Sequence, residues 1–397
     1  MTNSEHETIS NATPSSSQKL RYFIGMALSI YIILNGYIGI RGWHWVHSGV
    51  ISPAFFLVIF LSLVFSYPLG RWIHHRWPNS LSAGIFFLGS WYLGAMVYLL
   101  FGTLVQDILN IFLAITPLPQ LSVTVNRWLF FALLFITLWV TFYGFWNAQR
   151  YFIRELSISL PLRPSGKAQT LRVVIVSDLH LGTVIRPGKL TEIVTTINQF
   201  KPELILIPGD ILDENLPKAW WSRFLEPLRQ LQAPLGVLAV AGNHEHFIGI
   251  DAARQAIAHV GIRLLEDEVV VLKDTLAIIG RQDASAAYFQ KTRFPLSSLL
   301  KATPPQLPVI VLDHQPRQLQ EAQQAGVHLQ ISGHTHDGQF WPFTWVTRKV
   351  WPLSYGYRQI GNTHFYVTSG IGVWGPPLRI GSRAELVVLQ LHLVPQS

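Results

Sequence analysis

The stretch LRVVIVSDLH, residues 171–180, predicts the fold of the second half of the chain. It opens with mostly apolar, β-branched residues in a run too short for a buried helix, which is typical of a buried strand. It closes on Asp178 and His180, two side chain types that can bind metal ions. Because sites in layered α/β folds collect beyond the carboxyl ends of strands, we expect a site here.

Four later stretches repeat this design, each an apolar run followed by polar residues. They are ELILIPGD (203–210), LGVLAVAGNHE (235–245), LPVIVLDHQP (307–316) and GVHLQISGHTH (326–336). Helical patterns lie between several of them, for example at 188–200 and 252–259. Buried strands that alternate with helices predict an α/β layered fold.

Side chains that can bind a metal stand at the ends of all five predicted strands. They are Asp178 and His180, Asp210, Asn243 and His244, His314, and His334 with His336. One aspartate after a strand is usually a turn former, and one histidine is usually structural, but five such strand ends together favour a site. Oxygen and imidazole donors suit Mn, Fe, Zn or similar divalent ions. The candidates outnumber the positions around one tetrahedral ion, which favours two ions sharing a carboxylate.

The bulk composition excludes several classes of protein. The chain has 397 residues, too many for one typical domain, and no cysteine, so disulfides and thiolate metal sites are excluded. The net charge is +8, but no dense basic stripe or nucleic-acid signature is present, so no nucleic acid is expected as a partner. Residues 1–150 hold only seven of the 30 Lys/Arg and three of the 22 Asp/Glu.

This charge-poor half contains four long apolar runs, each near the roughly 20 residues that cross a bilayer core. They are Tyr22–Ile40, Ala54–Gly70, Ala83–Gln106 and Trp128–Trp146. Three further runs after the first argue against a cleaved signal peptide. The sequence therefore predicts a disordered tail at 1–18, a four-helix transmembrane domain at 19–150, a linker at 151–170 and an α/β domain at 171–397.

The Lys/Arg counts in the short flanks predict the orientation. Eight basic residues lie before the first run, between the second and third, and after the fourth: Lys19, Arg21, Arg71, Arg76, Arg150, Arg154, Arg163 and Lys167. The other two loops hold only Arg41 and Arg127. We therefore expect a multi-pass protein of the inner or plasma membrane, with both ends of the four-helix domain and the α/β domain in the cytoplasm.

The motifs DLH (178–180), GD (209–210), GNHE (242–245) and GHTH (333–336), with the strand-end His314, resemble the calcineurin-like metallophosphoesterase superfamily across about 171–391. The resemblance implies a four-layer α/β/β/α sandwich and a metal-dependent phosphoric ester hydrolase with two divalent ions. The longer forms SDLHLGT, DHQP and SGHTHDGQ look most like a bacterial membrane-anchored branch with a GHTHGGQ-like motif. This chain departs from that branch at Asp337, where the branch commonly has glycine.

The residue roles of the superfamily carry over to the matching positions. Two sets of three ligands are implied, one for each metal ion: Asp178, His180 and His336, and Asn243, His314 and His334. Asp210 would bridge the two ions, and His244 would face the phosphate as general acid or electrostatic stabiliser. The resemblance also implies attack by a metal-bridging hydroxide, without a covalent protein intermediate.

Four further features carry weaker signals. His246 either contacts substrate or is solvated, and Arg281 is expected to pair with a carboxylate rather than with a phosphate. The Gly/Pro-rich stretch 368–386 is expected to shape a loop near the cleft, and we assign it no chemistry. The aromatic stretch 340–357 predicts either a wall at the level of lipid headgroups or a face packed on the membrane helices.

Three functions are open at this point, with the lipid bilayer and a phosphate ester as the expected partners. The first is a membrane-anchored phosphoesterase that hydrolyses phosphate mono- or diesters, with a lipid-linked phosphate or pyrophosphate as the candidate substrate. The second is a phosphodiesterase acting on soluble nucleotides, with the helices as an anchor only. The third is a membrane sensor or transporter with a regulatory phosphoesterase-like domain, which the scarcity of charge within the spans disfavours.

Overall fold

The computed structural model describes residues 16–46, 52–162, 167–182 and 185–395. Within these ranges the chain divides into two compact units, one drawn from 1–60 and 99–133 and the other from 61–98 and 134–397. Residues 1–15 of the predicted disordered tail (1–18) lie outside the described residues. The first helix begins at Ser16.

Four long helices form the N-terminal part of the chain: α1 Ser16–Val46, α2 Pro53–Arg76, α3 Ser80–Ile115 and α4 Val123–Ala148. Of these, α2, α3 and α4 are long and apolar enough to cross a membrane. The prediction of four spans is thus corrected to three candidates among the described residues. In α1, Asn35 lies within the predicted run Tyr22–Ile40 and Arg41 follows it directly.

A polar cluster lies inside the first unit. Arg41 Nη2 and Tyr37 Oη of α1 lie 2.7 Å and 2.6 Å from Asp107 Oδ2 of α3. Gln106 Nε2 donates to the backbone oxygen of Asn126 at 2.8 Å. The Asp107 carboxylate thus has an opposite charge and a hydrogen-bond donor beside it, as expected of polar residues that hold apolar helices together.

Twelve strands are seen in the described part of the chain. They are β1 Tyr151–Leu162, β2 Gln169–Ile175, β3 Leu204–Ile207, β4 Val237–Val240, β5 Arg263–Leu265, β6 Glu268–Leu272, β7 Leu276–Gly280, β8 Val309–Leu312, β9 Leu329–Ser332, β10 Gly356–Ile360, β11 Thr363–Val367 and β12 Ala384–Pro395. They form two mixed six-stranded sheets, in the orders β1-β12-β2-β3-β4-β5 and β10-β11-β9-β8-β7-β6. The α/β prediction is confirmed at this level, and the four-layer arrangement stays a prediction.

The five strands that the sequence predicts are β2, β3, β4, β8 and β9. In the first sheet, β2, β3 and β4 are parallel neighbours, and in the second sheet β8 and β9 are parallel neighbours. Parallel neighbours end at the same edge of a sheet. The polar residues that follow these strands are therefore gathered by the topology itself.

Strand β1 corrects the predicted linker at 151–170. It pairs in parallel with β12 along its whole length, from Tyr151 opposite Ala384 to Leu162 opposite Pro395. Ile158, Leu160 and Leu162 are buried at alternate positions, which is the period of a strand with one face on the core. The chain thus passes from α4 into the first sheet within two residues.

Seven shorter α-helices are described among the strands: α5 Pro187–Gln199, α6 Trp221–Leu225, α7 Asn243–Ile248, α8 Ile250–His259, α9 Leu296–Lys301, α10 Leu319–Gln324 and α11 Phe343–Val350. Helix α5 shows why they form. Pro187 occupies its first turn, and Leu190, Ile193, Val194 and Ile197 are buried with helical spacing. This apolar stripe covers the first sheet.

A single hydrophobic cluster contains residues of both sheets. Val173 and Leu206 come from the first sheet, Ile310 and Ile331 come from the second, and all four are fully buried. Burial of this kind contributes about 25 cal/mol for each Å² of apolar surface removed from water. The shared core holds the ends of β2 and β3 beside the ends of β8 and β9.

The second unit includes residues 61–98 and 134–148 of the membrane helices. At Gly94 of α3, an added methyl group would lie 2.2 Å from Leu378 Cδ1, so the side chain of Leu378 would have to shift. Tyr98 Oη donates to the backbone oxygen of Trp341 at 2.8 Å, and Asn147 Nδ2 donates to that of Arg379 at 2.9 Å. Parts of α3 and α4 therefore pack directly on the α/β fold.

Candidate metal centre

The structure brings all eight predicted site residues together at the strand ends. Asp178 and His180 follow β2, Asp210 follows β3, Asn243 and His244 follow β4, His314 follows β8, and His334 and His336 follow β9. Five of them have backbone φ angles between 40° and 71°: Asp178, His180, Asp210, His334 and His336. Such angles are uncommon outside glycine, and strained backbone of this kind clusters at functional sites.

The first group contains Asp178, His180 and His336, whose donor atoms lie within 4.8 Å of one another. The two imidazole Nε2 atoms are 3.0 Å apart, and His336 Nε2 lies 3.6 Å from Asp178 Oδ1. The backbone N–H of His334 donates to Asp178 Oδ1 at 2.9 Å and fixes the carboxylate. Three donor atoms thus point at one small volume.

The second group contains Asp210, His314 and His334, again within 4.8 Å. Asn243 joins it, because its Oδ1 lies 2.9 Å from His334 Nδ1 and 3.2 Å from His314 Nε2. The other ring nitrogen of His314, Nδ1, is 2.8 Å from the backbone oxygen of Pro208, and this contact leaves Nε2 facing the site.

Asp210 lies between the two groups. Its Oδ2 is 3.1 Å from His314 Nε2 in the second group and 3.6 Å from His180 Nε2 in the first. Its Oδ1 accepts the backbone N–H of His244 at 3.1 Å. The position therefore suits a carboxylate shared by two cations.

The donor set fits divalent cations for two reasons: the chemistry of its atoms, and buried donor atoms that lack a hydrogen-bond partner in the described part of the chain. Asp178 Oδ2 and His180 Nδ1 are buried and have no hydrogen-bond partner among the described residues. A buried carboxylate oxygen without a partner is costly unless a cation or water faces it. The set contains carboxylate, amide and imidazole donors and no thiolate, which suits a hard or intermediate divalent ion.

Burial and neighbouring charge set the protonation of the donors. Burial lowers the pKa of His180 and of His336 well below the ordinary value, so both imidazoles are neutral, which is the form that binds metal. Burial also raises the pKa of Asp178 to about 6. Burial acts in the same direction on Asp210, but His314 and His244 outweigh it and hold the pKa of Asp210 well below its usual range.

His244 and His314 differ from His180, His334 and His336, because neighbouring carboxylates raise their pKa values. Burial lowers the pKa of His244, but the carboxylates of Asp210, Asp213 and Glu214 outweigh burial, and the net shift is upward. Its Nδ1 is buried without a partner among the described residues, and its ring packs edge-on to that of His180 at 4.5 Å. Against burial, Asp210 also raises the pKa of His314 well above its usual range, but the Nε2 of His314 faces Asp210 and Asn243 within the second group. His244 can therefore hold a proton beside the donor groups without belonging to either set of implied ligands.

Glu245, which the sequence analysis left without a role, organises the loops that carry the ligands. Its carboxylate accepts the backbone N–H groups of Asp210, Leu212 and Gly242 at 3.1, 2.9 and 2.8 Å. One buried side chain thus ties the end of β3 to the end of β4. The signal was available in the GNHE motif, where Glu245 follows two site residues.

Asp213 and Arg379 also belong to the site and were missed. Asp213 Oδ2 lies 3.6 Å from His180 Nδ1 and forms a third potential metal-binding group with His180 and His244. Arg379 is fully buried, donates to the backbone oxygens of Ser369 and Gly372 at 2.7 Å, and lies 3.3 Å from His336 Nδ1. Burial lowers the pKa of Arg379 to about 10, so it remains charged. Arg379 lies in the stretch 368–386, to which we assigned no chemistry.

Asp337, the position where the motif departs from its branch, points away from the metal-binding groups. Its carboxylate pairs with Arg348 of α11, with Arg348 Nη2 2.9 Å from Oδ2 and Nε 3.2 Å from Oδ1. The extra negative charge is thus neutralised by a neighbouring arginine. The pair links the motif loop to the aromatic stretch that follows it.

A cavity of about 550 Å³, here called the site cavity, opens over the donor groups. One side is lined by site residues, including His180, Asp210, Asn243, His244, His334 and His336. The rest of the lining is mostly apolar and includes Leu93 and Val97 of α3, Phe340, Phe343, Trp351 and Trp374. A single cavity therefore contacts both the candidate metal ligands and a candidate membrane span.

The aromatic stretch 340–357 contains features of both predictions made for it. Phe340 is buried and packs near Tyr98 of α3, with ring centroids 6.3 Å apart, while Trp345 remains 63% exposed. Phe343, Thr347 and Trp351 line the site cavity at helical spacing. The stretch is thus both a packed face and a partly exposed wall.

Arg281 and His246, the two weaker candidates from the sequence, do not line the site cavity. Arg281 is buried between carboxylates, 3.6 Å from Asp267 and 3.7 Å from Glu321, as expected for a structural arginine. His246 is buried, stacks on Phe289 at 6.2 Å and does not line the cavity.

Two groups of donors that could hold metal ions lie at the strand ends of a two-sheet α/β fold. The sequence profile of the calcineurin-like phosphoesterase family matches residues 171–338. A metallophosphoesterase of Bacillus subtilis is 31% identical over 60% of this chain and 84% of its own length. The chain belongs to the calcineurin-like metallophosphoesterase family, which confirms the family recognised from the motifs. The bacterial membrane-anchored branch stays a prediction.

Two other relatives cover less of their own length. A metallophosphoesterase of Helicobacter pylori strain J99 is 33% identical over 56% of this chain and 60% of its own length. A protein of Danio rerio, named as a transmembrane protein with a metallophosphoesterase domain, is 30% identical over 65% of this chain and 61% of its own length. The chain thus spans about three-fifths of these relatives.

Proposed function

We propose that this protein is a membrane-anchored phosphoesterase that uses two divalent ions and acts on an amphiphilic, lipid-linked phosphate or pyrophosphate. The site cavity carries this proposal. Its polar side holds the donor groups, and its apolar side includes Leu93 and Val97 of a candidate membrane span. A substrate with a phosphate at one end and an alkyl chain at the other matches both sides.

The donor groups fit the metal sites that the family resemblance implies. Two sets of three ligands would hold the two ions: Asp178, His180 and His336, and Asn243, His314 and His334. Asp210, which lies between the groups, would contact both ions. When bound, the ions would polarise the phosphoryl oxygens and acidify the attacking water.

The remaining residues of the site position groups and move a proton. Hydrolysis joins a water oxygen to phosphorus and breaks the bond from phosphorus to the leaving oxygen, which must gain a proton. His244 lines the cavity, and the nearby carboxylates favour its charged form. We assign to it the donation of that proton. Arg379 and Glu245 act behind the ligands, one beside the His336 ring and the other on the loop N–H groups.

The size and lining of the cavity support an amphiphilic substrate. Its volume of about 550 Å³ lies within the 300–1,000 Å³ that is typical of ligand pockets. It accommodates a headgroup with the first part of a lipid chain. The aromatic and aliphatic residues on the apolar side bind hydrocarbon by excluding water, whereas a soluble nucleotide gains less from such a surface.

We place the protein in the cell membrane, with the α/β fold in the cytoplasm, because Lys/Arg residues concentrate after α4 and at the C-terminal end of α2. We also propose that the phosphoesterase domain begins at Tyr151, the first residue of β1. Protease added to intact cells should leave the domain intact, and protease added to inverted vesicles should cleave it. The reverse pattern contradicts this orientation.

A substrate panel tests the proposed function. The full-length protein, loaded with Mn²⁺ in mixed micelles, is offered a lipid phosphomonoester, a lipid pyrophosphate and a nucleotide diester side by side. We expect hydrolysis of at least one lipid substrate with the higher kcat/KM, and loss of all activity on chelation. Preference for the nucleotide would support the anchor-only alternative, and no hydrolysis of any phosphate ester would contradict the enzyme assignment.

A further inference from the structure

A second cavity of about 480 Å³ has no lining residue in common with the site cavity. Three arginines line it, Arg154 of β1, Arg348 of α11 and Arg383 just before β12. Tyr143 and Asn147 of α4 also line it. None of the eight predicted site residues lines this cavity, so it is a separate feature of the fold.

The cavity carries an excess of positive charge. Its one acidic lining residue, Asp337, is paired with Arg348, whose side chain is still 60% exposed. Arg154 Nη2 donates to Tyr355 Oη at 2.8 Å and lies near the buried Glu385, at 3.8 Å. Within the described ranges, Arg383 is exposed and has no carboxylate partner. At least one guanidinium group is therefore available to an incoming anion.

Glu385 offsets part of this charge at Arg154, but its own side chain does not line the cavity. It is fully buried and accepts hydrogen bonds from Tyr355 at 3.0 Å, from Tyr366 at 2.9 Å and from the backbone N–H of Ser369 at 3.2 Å. A carboxylate with these donors is oriented toward the protein interior. The surface that a ligand meets is dominated by the arginines.

The α4 side of the cavity belongs to a candidate membrane span near its end. Tyr143 stacks in a row with Trp139 and Trp146, with centroids 6.4 and 6.2 Å apart, and all three are exposed. Arg150 lies over the Trp146 ring at 3.5 Å. A row of exposed aromatic residues that ends at an arginine is the composition found where a span meets the headgroups.

We propose that this second cavity binds the phosphate headgroup of an anionic membrane lipid. The arginines match the headgroup charge, and the exposed face of α4 leads a lipid chain away into the bilayer. The cavity lacks the metal-binding groups, so the lipid is held and not cleaved. This site does not depend on the proposed catalytic function.

Lipid retention measures this binding directly. The full-length protein is reconstituted in nanodiscs of phosphatidylcholine doped with phosphatidylglycerol, and bound lipids are counted by native mass spectrometry after mild release. We expect wild type to retain phosphatidylglycerol selectively, and Arg383→Gln to retain it about fivefold less, as expected for loss of one basic group near a membrane surface. Arg154→Gln/Arg383→Gln should retain still less.

The controls separate the proposal from its alternatives. Arg223→Gln removes an exposed arginine of α6 that lines neither cavity, and should leave retention unchanged. An equal loss in Arg223→Gln, or unchanged retention in Arg383→Gln, would overturn the site. In a second arm, thermal stability is measured in neutral detergent with added phosphatidylglycerol or inorganic phosphate. Equal stabilisation by both would show a free-anion site and overturn the assignment to lipid.

The readouts do not require catalysis, and the assay can be repeated after chelation. Retention should be the same with and without divalent metal, because no metal-binding group lines the second cavity. Binding that persists in a protein without hydrolytic activity would support this inference while the proposed function fails. Loss of retention on chelation would overturn the separation of the two cavities.

Discussion

The site cavity has two walls of opposite chemistry and opposite origin. The strand-end wall is formed by the site residues, of which His180, Asp210, Asn243, His244, His334 and His336 line the cavity. The apolar wall consists of Leu93 and Val97 of α3 with Phe340, Phe343, Trp351 and Trp374. The first wall is built from short motifs on parallel strands, and the second from segments that lie far apart in sequence.

This difference suggests that one wall would carry out the proposed hydrolysis and the other would select the substrate. Everything that can bind a metal or move a proton lies on the strand-end wall, and everything that can hold a hydrocarbon chain lies on the apolar wall. Substitutions on the first wall should therefore affect every phosphate ester alike. Substitutions on the second should affect lipid substrates alone.

The largest effect is expected from Asp210→Asn on the strand-end wall. The asparagine keeps the shape of the side chain and removes the charge that lies 3.1 Å from His314 and 3.6 Å from His180. We expect kcat to fall by at least about 10³-fold on lipid and soluble substrates alike, with loss of bound metal measured by elemental analysis. The matched variant Asp337→Asn should keep its metal. Full activity of Asp210→Asn would contradict the shared carboxylate.

The next effect is expected from His244→Gln, which should retain metal and lower kcat by roughly 10²- to 10⁴-fold, the usual contribution of a general acid. The loss should shrink for aryl esters with acidic phenols, whose leaving oxygen needs no proton. His246→Gln is the matched control, because His246 does not line the cavity. Equal losses for all leaving groups would contradict the proton-donor role.

The pH profile gives an independent check on His244. Nearby carboxylates raise its pKa above the ordinary 6.5, so its charged form is present below that raised pKa and is lost as pH rises through it. An acid that must be protonated therefore produces the alkaline limb of the kcat profile. We expect this limb to disappear in His244→Gln, and an unchanged limb would assign it to another group.

The two walls also differ in how much could be predicted from the sequence. The residues of the strand-end wall stand directly after period-two or continuous apolar runs, so strand prediction alone places Asp178 beside Asp210. Parallel pairing then gathers the remaining strand ends. Glu245 was missed although it lies within a motif, because its role is to accept three loop N–H groups that exist only in the fold.

The apolar wall and its supports depend on long-range packing. No local sequence pattern predicts that Leu93 and Trp374 line the same cavity. None predicts that the guanidinium of Arg379 donates to backbone oxygens of the loop before it. The sequence predicts a linker where β1 lies, because Ile158, Leu160 and Leu162 alternate only in the second half of the strand and its first half is charged. Of the four predicted spans, those in α2, α3 and α4 lie in helices long and apolar enough to cross a membrane.

A moderate, selective effect is expected from Leu93→Asn on the apolar wall. The loss of one leucine from a hydrocarbon contact should lower kcat/KM for a lipid substrate by roughly tenfold and leave a soluble aryl ester unchanged. Leu88→Asn is the matched control on the same helix, since Leu88 is exposed and does not line the cavity. An equal loss on both substrates would show that Leu93 supports the fold and does not select lipid.

The smallest effect is expected from Asp337→Gly, which restores the glycine that is common in the branch this motif resembles. The variant loses the ion pair with Arg348, but Arg348 is 60% exposed, and such pairs contribute about 0.2–1 kcal/mol. Asp337 has a φ of 48°, which glycine adopts without strain, so part of this loss is offset. We expect Tm to change by no more than about 4 °C, with metal content and kcat on a soluble ester unchanged. Asp337→Ala loses the pair without that relief and should be the less stable of the two, whereas loss of metal in either variant would show that Asp337 serves the strand-end wall after all.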